Sequence, residues 1–140
     1  MVTAIDFAES AVKYMQMTSE QNDLKIDIRK MDIFDLDQIY TNHFDVVLEY
    51  TCFCAINPSR RRDYLKMVCN VLKPNGEMVG LLFPIDKDPS EGGPPFAVQL
   101  EQTIELISEY LCPIIQEIPA LSVKPRVGRE VFIIFRKDGN

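Results

Sequence analysis

The sequence predicts an α/β domain built on a mostly parallel sheet that ends in an antiparallel hairpin. Two observations carry this expectation. Strand-like apolar runs alternate with segments whose apolar residues recur at helical spacing, as in strands joined by helical crossovers. The last two strand-like runs are joined by a loop too short for such a crossover, so they should pair antiparallel. At 140 residues, one domain spanning 1–140 is the natural division.

Val2–Asp6 reads as a short apolar strand ending in an acid. Ala8, Ala11, Val12 and Met15 recur at helical spacing and place a helix over Ala8–Met17. Leu24, Ile26 and Ile28 alternate with polar residues and form the next strand. Phe44–Tyr50 is nearly continuous in apolar residues apart from Asp45 and Glu49, the pattern of a strand buried on both faces. Asn57-Pro58 opens a helix, with Asn as the cap and Pro where a missing N–H costs nothing. Its apolar stripe is Tyr64, Leu65, Val68, Cys69 and Leu72, and Lys73-Pro-Asn-Gly76 ends it in a turn. Met78–Phe83 is a further buried strand. A Pro/Gly-rich loop over Lys87–Pro95 leads into a helix carrying Leu100, Ile104, Ile107 and Leu111. The hairpin strands lie near Ile114–Ile118 and Val131–Phe135.

Composition narrows the function. Fifteen basic residues against 21 acidic ones leave a net charge of −6, the wrong sign for a binder of nucleic-acid backbones. No apolar stretch is long enough to cross a bilayer, and no basic-then-apolar leader opens the chain. A reducing, cytoplasmic setting is the expectation. Cys52, Cys54, Cys69 and Cys112 lack paired C-x-x-C spacing, and His43 is the sole histidine. They read as four small buried hydrophobes, with no metal site and no histidine-based triad.

Ligands of open α/β sheets bind beyond the carboxyl ends of strands. That rule selects Asp6-Phe7, Met31-Asp32-Ile33-Phe34, Glu49-Tyr50-Thr51-Cys52, and Pro84 with the loop after it. A strand-end acid such as Asp6 suits the two hydroxyls of a ribose, or equally the cap of the next helix. Asp32 is either a ligand or a solvated turn acid. Glu49 interrupts an apolar strand, where a carboxylate needs a partner or the mouth of a cleft. Arg60-Arg61-Arg62 opens a helix, where cations are disfavoured; a solvated face explains it, or a nearby acid.

Together these stretches resemble the thiopurine methyltransferase family of S-adenosylmethionine-dependent enzymes, closest to its thiol, halide and thiocyanate methyltransferase branch. The resemblance rests on Ala4-Ile-Asp6-Phe-Ala-Glu-Ser10-Ala, Phe44-Asp-Val-Val-Leu-Glu-Tyr50-Thr-Cys-Phe-Cys-Ala-Ile56, Val71-Leu-Lys-Pro-Asn-Gly76, Gly92-Gly-Pro-Pro-Phe96 and Gly128-Arg-Glu130. It implies a Rossmann-like methyltransferase fold. It also implies methyl transfer from S-adenosylmethionine to a small soft nucleophile such as a thiol, bisulfide, halide, thiocyanate or thiopurine. Asp6 would hold the ribose hydroxyls, Phe7 would lie against the adenine, and Asp32 would accept from its amino group beside Ile33 and Phe34. Glu49, Tyr50 and Thr51 would border the methionine portion. Phe53, Pro84, Pro95 and Phe96 would wall the acceptor pocket, and no residue is expected to act as a catalytic base.

The family places a strand and a Gly-rich loop before the ribose-binding acid. This sequence begins at Met1-Val-Thr-Ala-Ile-Asp6 and contains no G-x-G-x-x-G-like stretch. The expectation is therefore a fold truncated at its N-terminus, with the first strand missing. Unpaired strand edges would then be covered by a homo-oligomer or a companion N-terminal segment. A non-catalytic methyltransferase-like fragment that binds no cofactor is the alternative.

Overall fold

The computed structural model describes residues 1–139, which fall into two compact units, Met1–Ile39 and residues 40–139. In the first, strand β1 (Val2–Asp6) leads through helix α1 (Glu9–Gln21) to strand β2 (Ile26–Lys30). The two strands pair in parallel, with Val2 opposite Ile26 and Asp6 opposite Lys30. The expected helix thus continues four residues past Met17, and the Ser19 hydroxyl donates to the Leu24 carbonyl as the chain turns back. Leu24 lies outside β2. A 3₁₀ turn (Ile33–Asp35) and the short helix α2 (Leu36–Ile39) complete this unit.

The second unit holds β3 (Phe44–Tyr50), α3 (Arg61–Val71), β4 (Leu72–Leu82), α4 (Leu100–Ser108), β5 (Cys112–Glu117) and β6 (Val131–Arg136). Its sheet runs β3-β4-β6-β5. β3 and β4 are parallel, while β6 is antiparallel to both β4 and β5, as the short last connection requires. One sheet face carries Met78, Leu82, Ile133 and Phe135, all buried together with Tyr64, Leu65 and Val68 of α3. This is the core.

Several expectations are corrected. The strands form two sheets, one of two strands and one of four, instead of a single sheet. β3 is not buried on both faces: its one sheet neighbour is β4, and Val46, Leu48 and Tyr50 are exposed. Lys73-Pro-Asn-Gly76 does turn, with Asn75 at φ 65°, but within β4. The ladder shifts register there, from Phe44 opposite Leu72 to Val46 opposite Glu77. Asn75 N–H donates to the Lys137 carbonyl and Lys137 N–H to the Gly76 carbonyl, so β6's exit holds the excursion in place. Asn57 caps a 3₁₀ turn (Pro58–Arg60), and α3 starts only at Arg61. Of the four cysteines only Cys54 is buried, and Cys112 is exposed.

Candidate functional site

β1 ends at Asp6, and Met31 N–H donates to the Asp6 carbonyl at 3.0 Å, so the residues after β2 are tied to the end of β1. Asp6 Oδ1 accepts from Ala8 N–H at 2.7 Å. Asp32 Oδ1 likewise accepts from Phe34 N–H at 3.0 Å. Each carboxylate spends one oxygen on its own turn, and these bonds leave Oδ2 uncommitted. Phe7 is 77% exposed beside Asp6, and Ile33 and Phe34 are half-buried. The first unit therefore presents two strand-end carboxylates, an open aromatic ring and apolar side chains. These are acceptors and apolar faces, the groups that sugar hydroxyls, an amino group and a flat ring require.

Glu49 behaves differently. It is 1% exposed, on the core face of β3. One oxygen accepts from Phe53 N–H at 2.9 Å and the other from the Tyr64 hydroxyl. Burial pushes its carboxyl above the usual glutamate range, opposed by the bonds from Tyr64 and Phe53. The Tyr64 phenol is driven well up in turn, by burial first and by the Glu49 charge second. Gly80 lies opposite Glu49 in the ladder. A Cβ there would come within 2.6 Å of both the Glu49 Cβ and its carbonyl oxygen. Glycine is what lets the acid lie flat against β4.

Glu49 thereby fixes the segment after β3. Thr51 takes φ 66°, and Phe53 turns into the core, edge-on to the Tyr64 ring at 6.1 Å between centroids. Phe96 N–H donates to the Cys54 carbonyl at 2.7 Å, and Val98 N–H to the Pro84 carbonyl at 2.9 Å. The Lys87 ammonium holds the Pro95 carbonyl at 2.7 Å. Phe53, Pro84, Pro95 and Phe96 thus sit on three segments bonded to one another. Phe53 and Pro84 are buried, Phe96 is half-buried, and Pro95 is exposed.

On the opposite sheet face Leu48, Tyr50, Val79, Leu81 and Phe132 line an apolar cavity of about 440 Å³, closed partly by Leu121, Val123 and Arg126. The Arg126 guanidinium lies 4.8 Å from the centre of the Tyr50 ring and 3.4 Å from the buried carboxylate of Glu130.

Neither Tyr64 nor Arg61 receives a site role from the sequence. Tyr64 has no local signal beyond its place in an apolar stripe; only a buried acid in need of a donor points to it. Arg61 was read as part of a solvated face, and this is corrected: it is 7% exposed. A signal existed, because position 61 precedes Tyr64, Leu65 and Val68 by three, four and seven residues, on the same helical face. The nearby acid anticipated for the arginine run is present for Arg62, which pairs with Glu109.

Among the described residues no three His, Cys, Asp or Glu side chains gather as a metal would need, and no helix is long and apolar enough to cross a membrane.

Residues 1–130 match the thiopurine S-methyltransferase family. The chain is 37% identical over 91 residues to the probable thiol methyltransferase 2 of Arabidopsis thaliana, covering 62% of this chain and 38% of that protein. It is 31% identical over 140 residues to thiocyanate methyltransferase 1 of the same plant, covering 91% of this chain and 58% of the relative. The chain thus spans between about two-fifths and three-fifths of these relatives' length. An S-adenosylmethionine-dependent methyltransferase from Methanosarcina mazei superposes with a TM-score of 0.80 at 16% identity, over 99% of this chain and 82% of that one. The [4+2]-cyclase SpnF superposes with a TM-score of 0.77 at 14% identity, over 100% and 67%. Such likeness establishes the fold and leaves the reaction open. The family match over 130 of the 140 residues decides the lineage: this chain belongs to the thiopurine S-methyltransferase family.

Proposed function

We propose that the chain serves S-adenosylmethionine-dependent methyl transfer to a small soft nucleophile: a thiol, bisulfide, halide, thiocyanate or thiopurine. The observation that carries this is the bond from Phe96 N–H to the Cys54 carbonyl. It seats the Gly-Gly-Pro-Pro-Phe loop on the segment after β3, so that the acceptor-wall residues belong to one bonded network. Bound S-adenosylmethionine supplies an electrophilic methyl on a sulfonium. For the cofactor we assign Asp6 to the ribose hydroxyls, Phe7 to the adenine face, and Asp32, Ile33 and Phe34 to the adenine edge. Tyr50 and Thr51 border the methionine portion, and Glu49 serves that border by fixing the backbone beyond it. Phe53, Pro84, Pro95 and Phe96 hold the acceptor in a dry wall.

The reaction is in-line displacement. An anionic sulfur or halide needs no strong base, so positioning and partial desolvation supply most of the acceleration. Charge is neutralised in the transition state, which an apolar wall accommodates. Asp6→Asn retains an acceptor for Ala8 N–H but removes the charge facing the ribose. It should weaken cofactor binding by about 1.5–3 kcal/mol with stability little altered.

A second reading, a methyltransferase-like chain that folds or associates without cofactor, is favoured by one observation. Asp6 and Asp32 already accept bonds from their own backbones, and both oxygens of Glu49 are engaged. Calorimetric titration of S-adenosylmethionine into the chain, in the longest form in which it is expressed, separates the two. A methyl-transfer assay across the five acceptor classes then identifies the nucleophile. Absence of cofactor binding would favour the second reading.

A further inference from the structure

The chain has seven arginines. Six of them, Arg29, Arg60, Arg62, Arg126, Arg129 and Arg136, lie within ion-pair distance of a carboxylate. The seventh, Arg61, is among the buried residues and has no carboxylate partner among the described residues. Its Nη1 donates to the Ala97 carbonyl at 3.0 Å, while Nε and Nη2 are fully buried and make no hydrogen bond. Burial of a cation is costly unless it is paired, and an orphaned buried donor keeps its full desolvation penalty. That penalty also lowers the Arg61 proton affinity from its ordinary value, with burial as the leading cause.

The surroundings say what the missing partner is. The guanidinium carbon lies 4.5 Å from the centre of the Phe53 ring, and Ala97 follows directly on Phe96. Arg61 therefore stands between two of the three segments that carry the acceptor wall, at the first residue of α3, where the helix dipole adds positive potential. Two adjacent unpaired N–H groups beside an aromatic face suit a compact, weakly hydrated monoanion. We infer that Arg61 is the anion-holding residue of the acceptor pocket, receiving a soft monoanion such as iodide or thiocyanate at Nε and Nη2 against Phe53. This rests on the proposed methyl transfer to a soft nucleophile and names the charge state of its substrate. The attraction weakens as the acceptor's charge is neutralised in the displacement, so it favours binding over rate, and such a residue governs which acceptors enter.

The test is made on the chain without cofactor. Crystals soaked in sodium iodide should give an anomalous peak in hydrogen-bond contact with Arg61 Nε and Nη2. In solution, the Arg61 Nε–H resonance should shift saturably with sodium iodide or thiocyanate at constant ionic strength. Arg61→Met should weaken that binding on the order of tenfold to a hundredfold, and Arg61→Lys should restore part of it. Iodide sites confined to other residues, or a resonance that drifts without saturating, would overturn the inference even if both variants failed to fold. Cofactor titration in parallel keeps the two readings apart. Cofactor binding without iodide at Arg61 sinks the inference alone, and iodide at Arg61 without cofactor binding sustains the anion site while overturning its role as an acceptor pocket.

Discussion

Met1–Ile39 and residues 40–139 use apolar residues in opposite ways. In the first unit β1 and β2 are at best half-buried along their length, and Val12 and Leu36 are its only buried hydrophobic side chains. In the second, Leu65, Val68, Val71, Leu72, Met78, Ile107, Ile133 and Phe135 are fully enclosed. Apolar burial dominates folding free energy, so the second unit carries the stability while the first presents the residues assigned to the cofactor's ribose and adenine. Binding surfaces are commonly drawn from the less stable part of a fold, where ordering by a ligand is possible.

The largest expected effect sharpens that contrast. Leu65→Ala in α3 should cost about 2–5 kcal/mol, because the enclosed site cannot collapse around the loss. Val12→Ala in α1 should cost far less. Thermal unfolding of the two variants, followed by circular dichroism, decides this; equal losses would erase the distinction between the units.

Next in size is Gly80→Ala, which brings a methyl against the Glu49 Cβ and carbonyl. Overpacking of this kind costs about 1–3 kcal/mol, measurable as a lower urea midpoint. Since it moves Glu49, it should also loosen the segment through Phe53.

A smaller effect is set by pH. The folded-state carboxyl of Glu49 titrates above the ordinary glutamate value of 4.5, so the native state binds more protons than the unfolded chain between those two values. Its contribution to stability is complete below 4.5 and is lost as pH rises through the folded value, with a slope of at most about 1.4 kcal/mol per pH unit. Glu49→Gln should flatten that decline, as read from denaturant midpoints across the acid-to-neutral range.

Much of this was legible in the residues, for local reasons. Strand–helix alternation and the short final connection identified the strands and the antiparallel hairpin. Glu49, an acid inside an apolar run, announced that it required partners. What escaped depends on contacts distant in sequence. Nothing near Phe44–Tyr50 tells whether one or two strands flank it, so an edge strand with exposed Val46, Leu48 and Tyr50 reads like a central one. Lys73-Pro-Asn-Gly76 carries turn chemistry in either setting, and only Lys137, some sixty residues on, holds it as an excursion within β4. Arg61 was hidden by its charge, although its helical position matched the buried stripe. The tie between Phe96 and Cys54 joins segments about forty residues apart and leaves no periodic trace.

Native-state hydrogen exchange with and without S-adenosylmethionine tests the central claim most directly, that the loosely buried unit is the one the cofactor orders. Without cofactor, amides of β1, α1 and β2 should exchange well before those of α3 and β4; saturating S-adenosylmethionine should slow exchange in Met1–Ile39, most around Asp6 and Asp32. Equal protection in the two units at the outset, or cofactor-induced protection confined to residues 40–139, would contradict it.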